Sequence, residues 1–193
     1  MIELEKKLLL TEKEYHLLLD RFCGGLSSFV QVNYYFDTNE YSMNQKGITC
    51  RIRCKNGELK ATMKAHHAVP GGSVEAETTI TNGLKQNGFT DMGLLLQGFL
   101  TTCRTVLFKN DLCEMVLDKN EYLGHTDYEL EIEYKKDCEP QADEMVKKIT
   151  TILMKSDPET TPQRIALRMH CTQSKSQRFF GKLFSGFDIR CHS

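Results

Sequence analysis

Apolar and polar residues alternate along much of this chain, and a period of two is the pattern of a strand with one face buried. It begins at once: over residues 2–8, Glu3, Glu5 and Lys7 share one face, while Ile2, Leu4 and Leu8 share the other. The period then changes. Thr11-Glu12-Lys13-Glu14 is a capping-box signature, and Tyr15, Leu18, Leu19 and Phe22 follow at helical spacing before Gly24-Gly25, which predicts a helix of about three turns. Residues 31–37, with Val32, Tyr34, Tyr35 and Phe36, predict a second strand, and 44–47 a turn. Residues 49–54 and 58–65 form a hairpin pattern around Asn56-Gly57, followed by a loop at 66–72 and a strand at 74–81. The Gly-broken stretch 83–101 reads as helix. A second hairpin, 102–109 with 112–119, turns at Asn110-Asp111, and 128–134 gives an eighth strand. Ala142, Met145, Val146, Ile149 and Leu153 mark an amphipathic helix, and Thr161-Pro162 starts another with proline at the first helical position. The pattern predicts one domain over residues 1–180 and a loosely held tail at 181–193.

The polar faces are unusual in the sign of their charges. A solvated strand face usually mixes residue types, whereas here like charges stand two apart: Glu3 with Glu5, Arg51 with Arg53, Lys60 with Lys64, Glu75 with Glu77, and Glu129 with Glu131 and Glu133. Neighbouring like charges repel, and folding alone does not reward them. One concave surface that gathers acidic and basic strands suits a polyanion with its metal ions, because carboxylates are the hard ligands of Mg2+ or Mn2+ and Arg and Lys neutralise phosphate oxygens. Eight antiparallel strands allow closure into a barrel. The fold class expected is α+β, an eight-stranded antiparallel β-barrel with a charged lumen and helices packed outside.

Composition narrows the picture. The 193 residues carry 25 basic and 26 acidic side chains, a net charge of -1, so no overall field favours nucleic acid or an anionic membrane. No apolar run approaches membrane-spanning length and no signal-like segment opens the chain, which makes a cytoplasmic protein the expectation. The eight cysteines are scattered, without C-x-x-C, and read as reduced thiols. No Gly-rich phosphate loop or G-x-S-x-G elbow occurs. His66-His67 is a weak metal candidate, since adjacent side chains on an extended chain point apart.

Taken in order, Glu3-Leu4-Glu5-Lys6-Lys7, Tyr34-Tyr35-Phe36-Asp37-Thr38, Arg51-Ile52-Arg53, the 60–64 strand, Glu75-Ala76-Glu77, Arg104, Asp118, the 129–133 strand and Ser174-Lys175 resemble the CYTH family. That family includes class IV adenylyl cyclases and mammalian thiamine triphosphatase among the triphosphate tunnel metalloenzymes, and this chain looks most like its small bacterial members. The resemblance implies a tunnel of eight strands that holds Mg2+ or Mn2+ and a small triphosphate. Glu3 and Glu5 would bind metal, with Asp118 and two of Glu129, Glu131 and Glu133, of which Glu129 and Glu131 are favoured, and with Glu77 as an addition. Lys7, Arg51, Arg53, Lys60, Lys64, Arg104 and Lys175 would line the phosphate path, and Lys7, Arg53 and Glu131 would act in catalysis. A metal-dependent triphosphatase is the expected activity, a cyclase or a polyphosphate-binding module the alternatives, and a monomer or homodimer the expected assembly, with no nucleic-acid or membrane partner.

Overall fold

The computed structural model describes residues 2–69, 72–80, 88–157 and 159–190; within these, the side chains at 2, 3, 67–69 and 187–190 lie outside the description. The order of elements is β1 (Ile2–Leu10), α1 (Glu12–Arg21), β2 (Ser27–Asp37), α2 (Ser42–Gln45), β3 (Ile48–Lys55), β4 (Glu58–Val69), β5 (Gly72–Ile80), α3 (Gly88–Asp91), β6 (Leu95–Lys109), β7 (Cys113–Tyr122), β8 (His125–Tyr134), α4 (Glu139–Ser156), α5 (Pro162–Cys171) and α6 (Lys175–Arg190). The eight strands close into an antiparallel barrel in the order β1-β5-β4-β3-β2-β6-β7-β8. Most seams are long; among the described residues β1 meets β5 over Ile2↔Val74, Glu3↔Ser73 and Leu4↔Gly72.

The barrel wears its apolar face outward. Leu8 and Leu10 of β1, Met115 and Leu117 of β7, and Leu130 and Ile132 of β8 pack beneath Tyr15 and Leu18 of α1, Ile149 and Leu153 of α4 and Ile165 of α5. Each such side chain contributes roughly 1.5–3 kcal/mol on leaving water, which is why the core lies between barrel wall and helices. Local chemistry sets the helix ends. Thr11 and Glu14 make the reciprocal capping box expected of α1. Arg168 of α5 donates to both carboxylate oxygens of Glu14 at 2.8 Å, tying α5 to α1. The β3–β4 turn uses Asn56 and Gly57 with φ of 52° and 80°, as a tight hairpin requires.

Two expectations need correction. Residues 95–101, expected to be helical, open the long strand β6, whose pairing with β2 runs from Asp37↔Leu95 to Ser27↔Val106; α3 is a single turn, and 81–87 lie outside the described residues. Backbone pairing along β2 outweighed the helical preference of the leucines, and Leu95 and Leu96 stay exposed instead of entering a core. The expected loop at 66–72 is also largely strand, because β4 continues to Val69 and His66 pairs with Ser73 of β5.

α6 stops one end of the barrel. Phe179 and Phe180 pack with Tyr35 of β2, Leu100 of β6 and Tyr122 of β7, and Phe179 is fully buried. Gly98 makes room: it has φ of 148°, and a Cβ there would sit 2.8 Å from Phe179 Cζ. Residues 181–190, expected as part of a loose tail, continue this helix.

Candidate active site: a charged tunnel

Because side chains alternate along each strand, the face opposite the apolar one looks into the barrel. Acidic side chains predominate on one side and basic ones on the other, with Lys7 and Arg104 among the acids and Glu75 among the bases. The adjacent strands β1, β8 and β7 bring Glu5, Asp127, Glu129, Glu131 and Asp118 inward, while β3 and β4 across the lumen bring Arg51, Arg53 and Lys64. Pairing explains the grouping: Asp118 is the register partner of Glu129 on one side and of Arg104 on the other.

At the centre of the acidic wall, ligand oxygens of Asp118, Glu129 and Glu131 lie within 4.8 Å of one another, all three buried. Three hard oxygen donors at this spacing fit a small divalent cation. Protein cations neutralise them here. Lys175 Nζ lies 2.9 Å from Asp118, 2.7 Å from Glu129 and 2.7 Å from Glu131. Arg104 forks onto Asp118 at 2.7 and 2.8 Å and also donates to Glu131, with Glu133 at 3.4 Å. Lys7 bridges Glu131 at 2.8 Å and Glu5 at 3.0 Å, and Lys64 approaches Glu5 at 3.4 Å. Burial by itself raises the Glu131 carboxyl, yet Lys175, Lys7 and Arg104 hold it well below the usual carboxylate range. Burial opposes ionisation of Glu129 too, and Lys175 and Lys7 bring it below its ordinary value. The same contacts push Lys7 and Arg104 well up against their burial.

The basic wall is less well neutralised. Arg51 reaches Glu75 only at 3.6 Å. Arg53 donates to Asn33 Oδ1 at 3.0 Å and makes no ion pair among the described residues. Burial, with Arg51 and Arg104 nearby, brings its guanidinium down to about 10. Glu75 favours the charge, but burial, Arg51 and Arg104 outweigh it.

Comparison with known proteins agrees with this architecture. The model of the CYTH domain matches residues 1–163. The chain belongs to the CYTH domain family. A Bacillus subtilis (strain 168) protein named "Putative triphosphatase YjbK" is 31% identical over 149 residues, covering 68% of this chain and 77% of that protein. Among solved structures, a "putative adenylate cyclase" from Bacillus halodurans superposes with a TM-score of 0.68 at 24% identity, covering 92% of this chain and 97% of that one. HpAC1 from Hippeastrum, described as a "putative adenylyl cyclase" with a dominant triphosphatase activity, gives 0.64 at 22% identity, with coverage of 93% and 96%. At those identities the two structures establish the fold alone.

Within the CYTH barrel the sequence-predicted residues fall into groups. Glu5, Lys7, Arg51, Arg53, Lys64, Arg104, Glu131, Glu133 and Lys175 line one cavity, and Asp118 and Glu129 lie directly behind it. Lys60 and Glu77 instead pair with each other at 2.9 Å, both more than a third exposed, away from the carboxylate cluster. Glu133 sits outward of Glu131 with its side chain 32% exposed. Glu3 belongs to β1, but its side chain lies outside the described residues, as does that of His67. His66 faces the tunnel with Thr49 at 2.8 Å, and Thr49 donates to Ser176 of α6 at 2.7 Å.

Arg178 was missed by the sequence reading. It pairs with Glu129 and Asp127, both at 2.9 Å, and those partners push it up against its burial. Its signal was available in the spacing, since Arg178 stands three residues after Lys175 and therefore on the same face of a helix. The wall residues Asn33, Tyr35 and Thr62 carried no such signal, because neutral polar groups on a strand are uninformative until the strand is closed into a lumen.

Proposed function

We propose that this protein is a metal-dependent triphosphatase that cleaves the terminal phosphoanhydride of inorganic triphosphate or of a small organic triphosphate such as thiamine triphosphate. The observation that carries the reading is the opposition across one lumen of a three-carboxylate cluster and a basic wall in which Arg53 makes no ion pair among the described residues. The family supports it, as do the name of the Bacillus subtilis relative and the activity described for HpAC1.

Asp118, Glu129 and Glu131 are proposed to hold Mg2+ or Mn2+, with Glu133 contributing from further along β8 and Glu3 and Glu5 from the adjacent β1. The ion would supply polarisation of the terminal phosphate and a bound water. Arg51, Arg53 and Lys64 neutralise non-bridging oxygens from the opposite wall, and Arg104, Lys7 and Lys175 are positioned to exchange a carboxylate for a phosphate as charge builds up in the transition state. Lys60 guides the anion at the open end, where Glu77 is its partner. Glu131 orients Lys7 and Lys175 by accepting from both. No side-chain nucleophile is required. Phosphorus NMR on the full chain with inorganic triphosphate, thiamine triphosphate and ATP, in Mg2+ and in Mn2+, tests the reading. Orthophosphate release that falls at least about 100-fold in Glu131→Gln is expected. Cyclic AMP with pyrophosphate from ATP would replace it with a cyclase, and binding of triphosphate without turnover would reduce it to a polyanion-binding module.

A further inference from the structure

The tunnel wall holds polar groups that the ion-pair network does not use. Tyr35 hydroxyl, Thr62 Oγ1, Asn33 Nδ2 and Arg51 Nε are buried without a hydrogen-bond partner in the protein. Tyr35 and Thr62 are 1% exposed and Asn33 is wholly buried. They are gathered in one place. Tyr35 of β2 is the register partner of Arg51 of β3, and Arg51 is the register partner of Thr62 of β4, so these three make one row across three strands. Neighbouring strands lie about 4.8 Å apart, and the row therefore spans roughly 10 Å of wall. Asn33 stands two residues along β2 from Tyr35, with Arg53 as its partner.

Packing does not explain the hydroxyls. The Tyr35 ring stacks on Phe179 and Phe180, with ring centres 4.8 and 5.9 Å away, and a phenylalanine would do the same. Valine matches the shape of Thr62. Buried donors in folded proteins nearly always find an acceptor, yet the carboxylate beside this row, Glu75, lies 3.6 Å from Arg51, and Asp118, Glu129 and Glu131 across the lumen are engaged by Lys175, Arg104 and Lys7. Burial keeps the Tyr35 phenol protonated and a donor at neutral pH, although Arg51, Lys175 and Arg53 act against this. Neutral donors beside Arg51 and Arg53 suit a chain of phosphate oxygens, which offers many acceptors, and they limit how many formal positive charges the wall must crowd together.

We infer that Tyr35, Thr62 and Asn33 form a neutral donor row that binds oxygens of the polyphosphate chain alongside Arg51. The inference rests on the triphosphatase reading and deepens it by naming what else in the wall touches substrate. It makes two measurements move in opposite senses. Deleting a donor that lacks a protein partner does not weaken the ligand-free protein, yet it removes a hydrogen bond from the bound one.

The experiment compares Tyr35→Phe and Thr62→Val with the wild-type full chain, reading the melting temperature without ligand and KM for inorganic triphosphate with Mn2+. An unchanged or higher melting temperature with KM raised about tenfold in each variant is expected, the low end for a hydrogen bond to a charged oxygen. A lower melting temperature with unchanged KM overturns the inference, because the hydroxyl then serves the fold. Wild-type turnover with KM unchanged in both variants overturns this inference while leaving the triphosphatase reading intact. Absence of wild-type turnover on any triphosphate removes both.

Discussion

The ammonium of Lys175, on the C-terminal helix, lies 2.7 Å from the carboxylate of Glu129, 46 residues earlier on β8, and both are buried. Lys175 thus occupies the centre of the only grouping of three potential metal-ligating residues found among the described residues. A divalent cation bound there would compete with Lys175 for the same oxygens.

Lys175→Met should therefore destabilise the ligand-free protein by about 3–5 kcal/mol, since it strands buried carboxylates, and Mg2+ or Mn2+ should restore much of the loss. Thermal melts with and without metal check this: the metal-induced rise in melting temperature should be larger in the variant than in the wild type.

Arg53 predicts the reverse balance. It has no carboxylate partner among the described residues, and the neighbouring Arg51 and Arg104 disfavour its charge. Arg53→Gln should lower kcat/KM for triphosphate by about 100-fold or more while leaving the urea midpoint undiminished. Arg104→Gln, which breaks contacts with Asp118, Glu131 and Glu133, should lower both.

Gly98 is where the barrel admits the stopper. Gly98→Ala adds a Cβ 2.8 Å from Phe179 in a backbone conformation with positive φ, and should cost roughly 1–3 kcal/mol. Gly57→Ala also meets a positive φ but nothing within 4 Å, so it should cost less. Chemical denaturation of both variants measures the difference, which combines the contact with α6 and the harsher backbone conformation at Gly98.

Acid should unfold the protein through the carboxylate cluster. Glu129 and Glu131 titrate below their ordinary value in the folded state, against about 4.3 in the unfolded chain. Between those values the unfolded chain binds more protons, so stability rises with pH there. The contribution is complete above about pH 4.3 and is lost as pH falls through the depressed folded values. Denaturation midpoints between pH 7 and 3 should fall on the acid side, with a shallower slope in Glu131→Gln because one fewer proton is taken up.

The strand periodicity and the doublets of like charge were properties of the sequence alone. Residues 2–8, 49–54, 58–65 and 128–134 each contain their own alternation, and alternation determines which side chains share a face whatever the strand pairs with. Glu5 with Lys7, Arg51 with Arg53 and Glu129 with Glu131 could be assigned to common faces on that basis, and the capping box of α1 was local for the same reason. Which face looked inward, and which charges met, required long-range pairing. Lys175 and Arg178 find Glu129 only because α6 folds back into the barrel end, and residues 95–101 become strand only because β2 offers its backbone to them. Such contacts join residues tens of positions apart, so no window of the sequence contains them, and only closure of the barrel turned a set of charged faces into a tunnel with an acidic wall, a basic wall and a stopper.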